Sequence, residues 1–143
     1  MKKVSDILRG KAGSVFTITP EATVLAAIEL MAEKNIGSLL VMNDDRLVGI
    51  ISERDYARKI VLAGKSSHNT PVKEIMNQRV VVIQPSTTIE ECMVLMIENA
   101  TRYLPVIEDG RVIGVISMGN VVNTIISEQN IVIKNLQQYI MQG

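Results

Sequence analysis

Residues 16–55 and 81–120 of this chain are two versions of one pattern, and that repetition constrains its fold more than any other feature. FTITPEATVLAAIELMAEKNIGSLLVMNDDRLVGIISERD lies over VVIQPSTTIEECMVLMIENATRYLPVIEDGRVIGVISMGN without a gap. Pro20 aligns with Pro85, Thr23 with Thr88, Met31 with Met96, Leu39 with Leu104, Asp44 with Asp109, Gly49 with Gly114 and Ser52 with Ser117, always 65 residues apart. About a third of the paired positions are identical. A unit of this size buries a sheet poorly by itself, so the two copies are expected to pack sheet on sheet about a pseudo-twofold axis.

Each copy reads as β-α-β-β-α, which makes the fold class α+β. A short strand (Val15 to Ile18; Val80 to Ile83) ends at a proline, and a threonine then caps a helix. In the second copy Thr88 and Glu91 have capping-box spacing. Val24, Ala27, Ile28 and Met31 recur at helical intervals, as do Ile89, Cys92, Met93 and Met96. Two apolar strands follow, joined by tight turns at Asn43-Asp44-Asp45 and Asp109-Gly110. A second helix opens after Ser52 or Ser117. The lead-in KVSDIL before the first copy resembles VKEIM before the second. The expected divisions are 1–65 for repeat 1 with its lead-in, 66–127 for repeat 2 with its linker, and 128–143 for a helical tail. The periodicity from Ile125 to Met141 suits a helix that covers an edge or a partner subunit.

Composition excludes several functions. Fifteen basic and fifteen acidic residues cancel, and one Phe and three Tyr offer little for stacking, so neither nucleic acid nor anionic lipid is expected as a partner. A local positive cluster for a small anion remains possible. With a single cysteine, Cys92, there is no disulfide framework and no Cys-rich zinc site, and a reducing compartment fits. MKKVSDILRG lacks the apolar run of a signal peptide, and no stretch reaches 18 apolar residues, so a cytoplasmic protein without a membrane segment is expected. No GxxxxGK[ST] loop, HExxH or nucleophile with a matched base is present, and an enzyme is not expected. His68 stands without a second His or Cys nearby, so no metal cofactor is expected; Cys92 falls on an apolar helix stripe and reads as a small core residue.

The proline after each first strand, the helix with its late Met, LPV at Leu104 to Val106, the turn, and GIIS or GVIS before a polar helix start together resemble a tandem pair of CBS domains (a Bateman module). The likeness covers nearly the whole chain, and SERDYARKIVLAGKSS followed by RYLPV is similar to a subgroup of stand-alone CBS pairs. The resemblance implies a regulatory homodimer that binds AMP, ADP, ATP or NAD/NADH in two clefts between the repeats and signals to a separate regulated protein. It further implies that Asp55 grips ribose hydroxyls, that Ser52 and Arg54 reach ribose and phosphate, and that Ile50 and Ile51 flank the base. Val82, Ile83, Thr101, Arg102 and Tyr103 would complete that cleft. By the same symmetry a second cleft would join Ser117, Gly119 and Asn120 to Thr17, Ile18, Ile36, Gly37 and Ser38. There Asn120 replaces the aspartate and Gly119 the arginine, so the second cleft is expected to be weaker, differently selective or empty. The alternative is a dimerisation scaffold whose clefts stay empty.

The residues of the first junction admit two readings. A helix N-terminus presents free N–H groups that suit phosphate, and a carboxylate in its first turn can accept from both hydroxyls of a cis-diol. Arg54 and Arg102 offer forked donors to phosphate oxygens, and apolar strand residues offer adenine a dry slot. Ser52 followed three residues later by Asp55 is equally a capping pattern, worth about 1 kcal/mol to the helix. The two roles are compatible. Arg102 is either a surface ion-pair partner or a phosphate contact, and Tyr103 either packs beside a base or covers the core. Lys65, Ser66 and Ser67 form a polar loop that is either solvated linker or a second phosphate contact.

Overall fold

The structure, a computed structural model, describes residues 2–9 and 15–142, with the side chain of Gln142 outside the description. The elements run α1 (Val4–Arg9), β1 (Thr17–Ile18), α2 (Val24–Lys34), β2 (Ser38–Asn43), β3 (Arg46–Ser52), α3 (Glu53–Tyr56), α4 (Ile89–Glu98), β4 (Tyr103–Glu108), β5 (Arg111–Ser117) and α5 (Met118–Gln142). α3 continues into a wider π-type turn at Ala57–Val61, whose hydrogen bonds reach five residues back, and a 3-10 turn spans Val72–Glu74. Each copy is thus a β-α-β-β-α repeat, as expected.

In the first copy β1 runs parallel to β2, and β2 pairs antiparallel with β3 from Ser38↔Ser52 to Asn43↔Arg46. In the second copy β4 pairs with β5, and Ile83 alone bridges in parallel to Val106, the counterpart of Ile18 against Val41. Both first strands are shorter than the four residues expected, and the second is reduced to that one bridge. Pro105 explains the difference. In the first copy Leu40 N–H donates to the Phe16 carbonyl at 3.4 Å, whereas the matching residue, Pro105, has no N–H to give Val81. The hairpin turns lie where expected, with Asp109 and Gly110 both at positive φ, as a two-residue turn between twisted strands requires.

The two lead-in segments are shared out in a crossed fashion. Val72 N–H donates to Ala22 O at 2.8 Å, Lys73 N–H to Pro20 O at 3.0 Å, and Val24 N–H to Thr70 O at 2.9 Å. The same three bonds recur between the N-terminal segment and the second copy: Val4 N–H to Thr87 O at 2.9 Å, Ser5 N–H to Pro85 O at 2.9 Å, and Ile89 N–H to Lys2 O at 3.1 Å. The linker therefore closes the first copy, and the N-terminus closes the second. The compact units follow this division: one holds α1 with Val82–Glu108 and the stretch from Gly114 on, the other the stretch up to Val81 with Asp109–Ile113.

Their cores match position by position. Val24, Ala27, Met31, Leu39, Val41, Ile51 and Val72 are buried in one unit, and Ile89, Cys92, Met96, Leu104, Val106, Ile116 and Val4 in the other. The glycines of β3 and β5 admit the crossed segments. A Cβ on Gly49 would lie 2.6 Å from Met76 Sδ and 3.1 Å from the Asn77 carbonyl; on Gly114 it would lie 2.6 Å from Leu8 Cδ2, with no backbone atom among its nearest contacts. Gly49→Ala should therefore cost about 1–3 kcal/mol in urea unfolding, and Gly114→Ala less, because the Leu8 side chain can yield and a backbone carbonyl cannot. Equal losses would show that the Asn77 wall contributes nothing.

Candidate functional site

The junction at Ser52 is built from the end of β3. Ser38 pairs with Ser52 across the sheet, and Glu53 N–H donates to the Gly37 carbonyl at 3.1 Å, which fixes where α3 starts. The capping box is complete. Ser52 Oγ accepts from Asp55 N–H at 3.2 Å, and Asp55 Oδ2 accepts from Ser52 N–H at 3.0 Å and from Ser52 Oγ–H at 3.0 Å. Asp55 Oδ1 pairs with Lys59 Nζ at 3.2 Å, and that ammonium also donates to the Ile75 carbonyl at 2.8 Å. The carboxylate is half-buried with both oxygens engaged: of its roughly four lone-pair sites Oδ2 uses two and Oδ1 one, which leaves about one, on Oδ1, for a further donor.

The second copy repeats this arrangement without the charge. Ser117 N–H donates to Asn120 Oδ1 at 2.9 Å, Asn120 N–H to Ser117 Oγ at 3.1 Å, and Met118 N–H to the Arg102 carbonyl at 2.8 Å. A Cβ added to Gly119 would meet only Ser117 Oγ, at 3.7 Å, so the backbone there is open to close approach.

The remaining candidates fall into the two units as follows. Ile50, Ile51, Ser52, Arg54 and Asp55 lie in the unit that runs up to Val81, with Thr17, Ile18, Ile36, Gly37 and Ser38. Val82, Ile83, Thr101, Arg102 and Tyr103 lie in the unit that holds α1, with Ser117, Gly119 and Asn120. Each unit therefore gathers one helix start and the loop that receives it. Ile51 is wholly buried in its unit's core, whereas Ile50 shows its backbone to Asn77 in a pair of hydrogen bonds of 3.0 and 2.9 Å. Ile83 is buried and Val82 exposed. Thr101 Oγ1 donates to the Tyr103 carbonyl at 3.1 Å, holding the half-buried Tyr103 at the start of β4. Ala100, just before this loop, sits at φ 50°, a left-handed conformation that costs a non-glycine residue roughly 1–2 kcal/mol. Arg54 and Arg102 are exposed, and neither forms an ion pair among the described residues. Lys65 and Ser66 are exposed and Ser67 is half-buried, with the Ser67 carbonyl accepting from Leu25 N–H at 3.0 Å. Among the described residues no group of three His, Cys, Asp or Glu is placed to hold a metal, and no helix is long and apolar enough to cross a membrane.

Reading the sequence did not single out Lys59. Its spacing of four from Asp55 on one helix was the available signal.

A family model for the CBS domain matches residues 4–62 and again 72–127. The chain belongs to the CBS-domain family. As a CBS pair it is 36% identical, over 98% of its length and 72% of the relative's, to the mitochondrial CBS domain-containing protein CBSX3 of Arabidopsis thaliana. A CBS-domain protein of Burkholderia ambifaria MC40-6 is 46% identical, and the two structures superpose with a TM-score of 0.86 over 90% of this chain and 96% of that one. The CBS domain pair of MJ0100 was solved with 5′-methylthioadenosine and S-adenosyl-L-methionine; at 22% identity, a TM-score of 0.78, and coverage of 90% of this chain and 98% of that one, it shares the fold. CBS pairs are regulatory modules.

Cys92 is a core residue of this CBS pair, as its stripe position implied. It occupies the place of Ala27 and is fully buried, and burial, aided by Glu91 and Glu90, pushes its thiol up from 9.0 to about 11. The folded state keeps the proton up to about pH 11, whereas the unfolded thiol releases it near 9. The contribution of this group to stability is therefore full below pH 9 and is lost as pH rises toward 11. Native protein at pH 8 should resist alkylating reagents that label one thiol per chain in urea. The fall in stability between pH 9 and 11 should be shallower in Cys92→Ala than in the wild type.

Proposed function

We propose that this chain is a non-catalytic sensor that binds an adenosine nucleotide (AMP, ADP, ATP or a NAD-type dinucleotide) and passes its occupancy to a separate regulated protein. The first ligand is assigned to the set led by Asp55: Ile50, Ile51, Ser52 and Arg54 with Val82, Ile83, Thr101, Arg102 and Tyr103. A second, weaker position is assigned to Ser117, Gly119 and Asn120 with Thr17, Ile18, Ile36, Gly37 and Ser38. The observation that carries the reading is the polar helix start at Ser52, where a pinned carboxylate stands beside an arginine that forms no ion pair among the described residues. Such an end suits a ribose diol and a phosphate together. The adenosyl ligands of MJ0100 support the ligand class.

Signalling requires that the nucleotide bind two conformations unequally. The reading includes self-association, supported by the apolar side chains Met93, Val94 and Ile97, which α4 leaves exposed. It also places the chain in a reducing compartment, the cytoplasm or, as the plant relative's name has it, the mitochondrion.

One observation favours a second reading, a scaffold without ligand: Asp55 already uses both oxygens within its own helix. Asp55→Asn separates the two. Asn120 shows that an amide completes the same capping box, so the variant should keep its fold to within about 1 kcal/mol. Saturating AMP, ATP or NADH should raise the melting temperature of the wild type, and affinity should fall roughly tenfold or more in Asp55→Asn. No nucleotide-dependent rise in the wild type would leave the scaffold, whereas an equal rise in the variant would reject Asp55 as a ligand contact.

A further inference from the structure

The family match ends at residue 127, yet α5 runs on to Gln142 without a break. α5 packs against α4, and Val121, Thr124, Ile125 and Glu128 are buried or half-buried. From 129 to 141 every residue is exposed, over roughly 20 Å of helix. The exposed side chains include Ile131, Val132, Ile133, Leu136, Tyr139 and Ile140, several of them β-branched and poor helix formers. A short segment of this composition does not hold a helix by propensity, so the helix needs a surface to pack on.

The spacing identifies that surface. Val122, Ile126, Gln129, Ile133, Leu136 and Ile140 follow one another by alternating steps of four and three residues. That is a heptad seam with isoleucine at each a position, 126, 133 and 140, and valine, glutamine and leucine at the d positions. β-branched a residues with leucine at d favour two parallel strands. Glu128 and Lys134 are the only charged residues of α5, one of each sign and both off the seam. Nothing there attracts an acidic or basic partner or an anionic membrane, and nothing repels a second identical helix. Gln129, the one polar seam residue, can both donate and accept an amide hydrogen bond, and it meets its own counterpart only when two copies lie parallel and in register.

We infer that the C-terminal half of α5 is a dimerisation element that pairs with the same segment of a second copy as a parallel, in-register two-stranded coil. Fewer than three heptads associate weakly alone, so the inference rests on the self-association proposed above. The folded modules would raise the effective concentration of one tail for the other.

The test uses the full chain with single cysteines introduced at d positions, Gln129→Cys and Leu136→Cys, and Asn135→Cys off the seam as control. Buried Cys92 stays in place, and the wild type reports its background. Parallel in-register helices bring each d position within roughly 6 Å of its own copy, a span a disulfide bridges. Mild oxidation should give a covalent dimer for both d variants and little for the control. The double variant Ile133→Asp/Leu136→Asp changes only exposed residues, so the fold should hold while the dimer dissociates at roughly tenfold or more higher dilution by light scattering. Cross-linking no greater than the control, or an unchanged dissociation in the double variant, would overturn the coil. The nucleotide-induced rise in melting temperature of the double variant, read in the same samples, reports separately on ligand binding.

Discussion

The arrangement of this chain depends on two valines that close cores away from their expected places. Val72 closes the copy that precedes it, and Val4 closes the copy that begins some 75 residues after it. Each arrives with the same three backbone hydrogen bonds to the loop between the proline and the capping threonine. Those bonds satisfy backbone groups that would otherwise be buried without partners, and the valine fills the space beneath the helix. The second copy is therefore incomplete as a contiguous segment: its core includes a residue from the first turn of α1.

The same economy appears at the helix starts. In both copies the residue that opens the second helix donates to the carbonyl of the loop before the middle strand, Gly37 or Arg102, and the serine and its third neighbour complete a reciprocal cap. The cap needs only one acceptor oxygen on that neighbour, which both aspartate and asparagine supply. The charge at Asp55 is thus not required by the cap. Lys59 compensates it in part, from a position exposed enough that the pair adds at most about 1 kcal/mol. A charge retained where the helix does not need it has room for another role, and that is the physical case for ligand contact at Asp55 rather than at Asn120.

The sequence disclosed most of the architecture. The offset of 65 residues, the capping threonines and the hairpin turns carried the element order, because each rests on local chemistry. What it left hidden was not local. The likeness of KVSDIL to VKEIM marked both as lead-ins, but likeness cannot tell which copy each one closes, since both copies present the same carbonyls at Pro20 and Pro85. The shortened first strand of the second copy could have been anticipated from LPV, because a proline at that register removes the donor. The π-type turn after Tyr56 has no comparable signature. At the candidate site, the residues and their capping roles were legible from type and spacing. The partnership of Lys59 with Asp55 and the Ile75 carbonyl was only half legible, because the second contact spans 16 residues.

The two copies share a backbone and differ in the charge they present at equivalent points. One offers Glu53, Arg54 and Asp55 after its serine; the other offers Met118, Gly119 and Asn120. The loops reverse the bias, with Gly37 and Ser38 in the first copy and Arg102 and Tyr103 in the second. The guanidiniums are thus divided between helix start and loop, one on each copy, and among the described residues acidic groups neutralise neither. An exposed arginine without an ion pair keeps its forked donors available. Duplication with this kind of divergence keeps the backbone geometry of both helix starts while giving each its own charge, and that difference is the physical basis for proposing a stronger and a weaker nucleotide position.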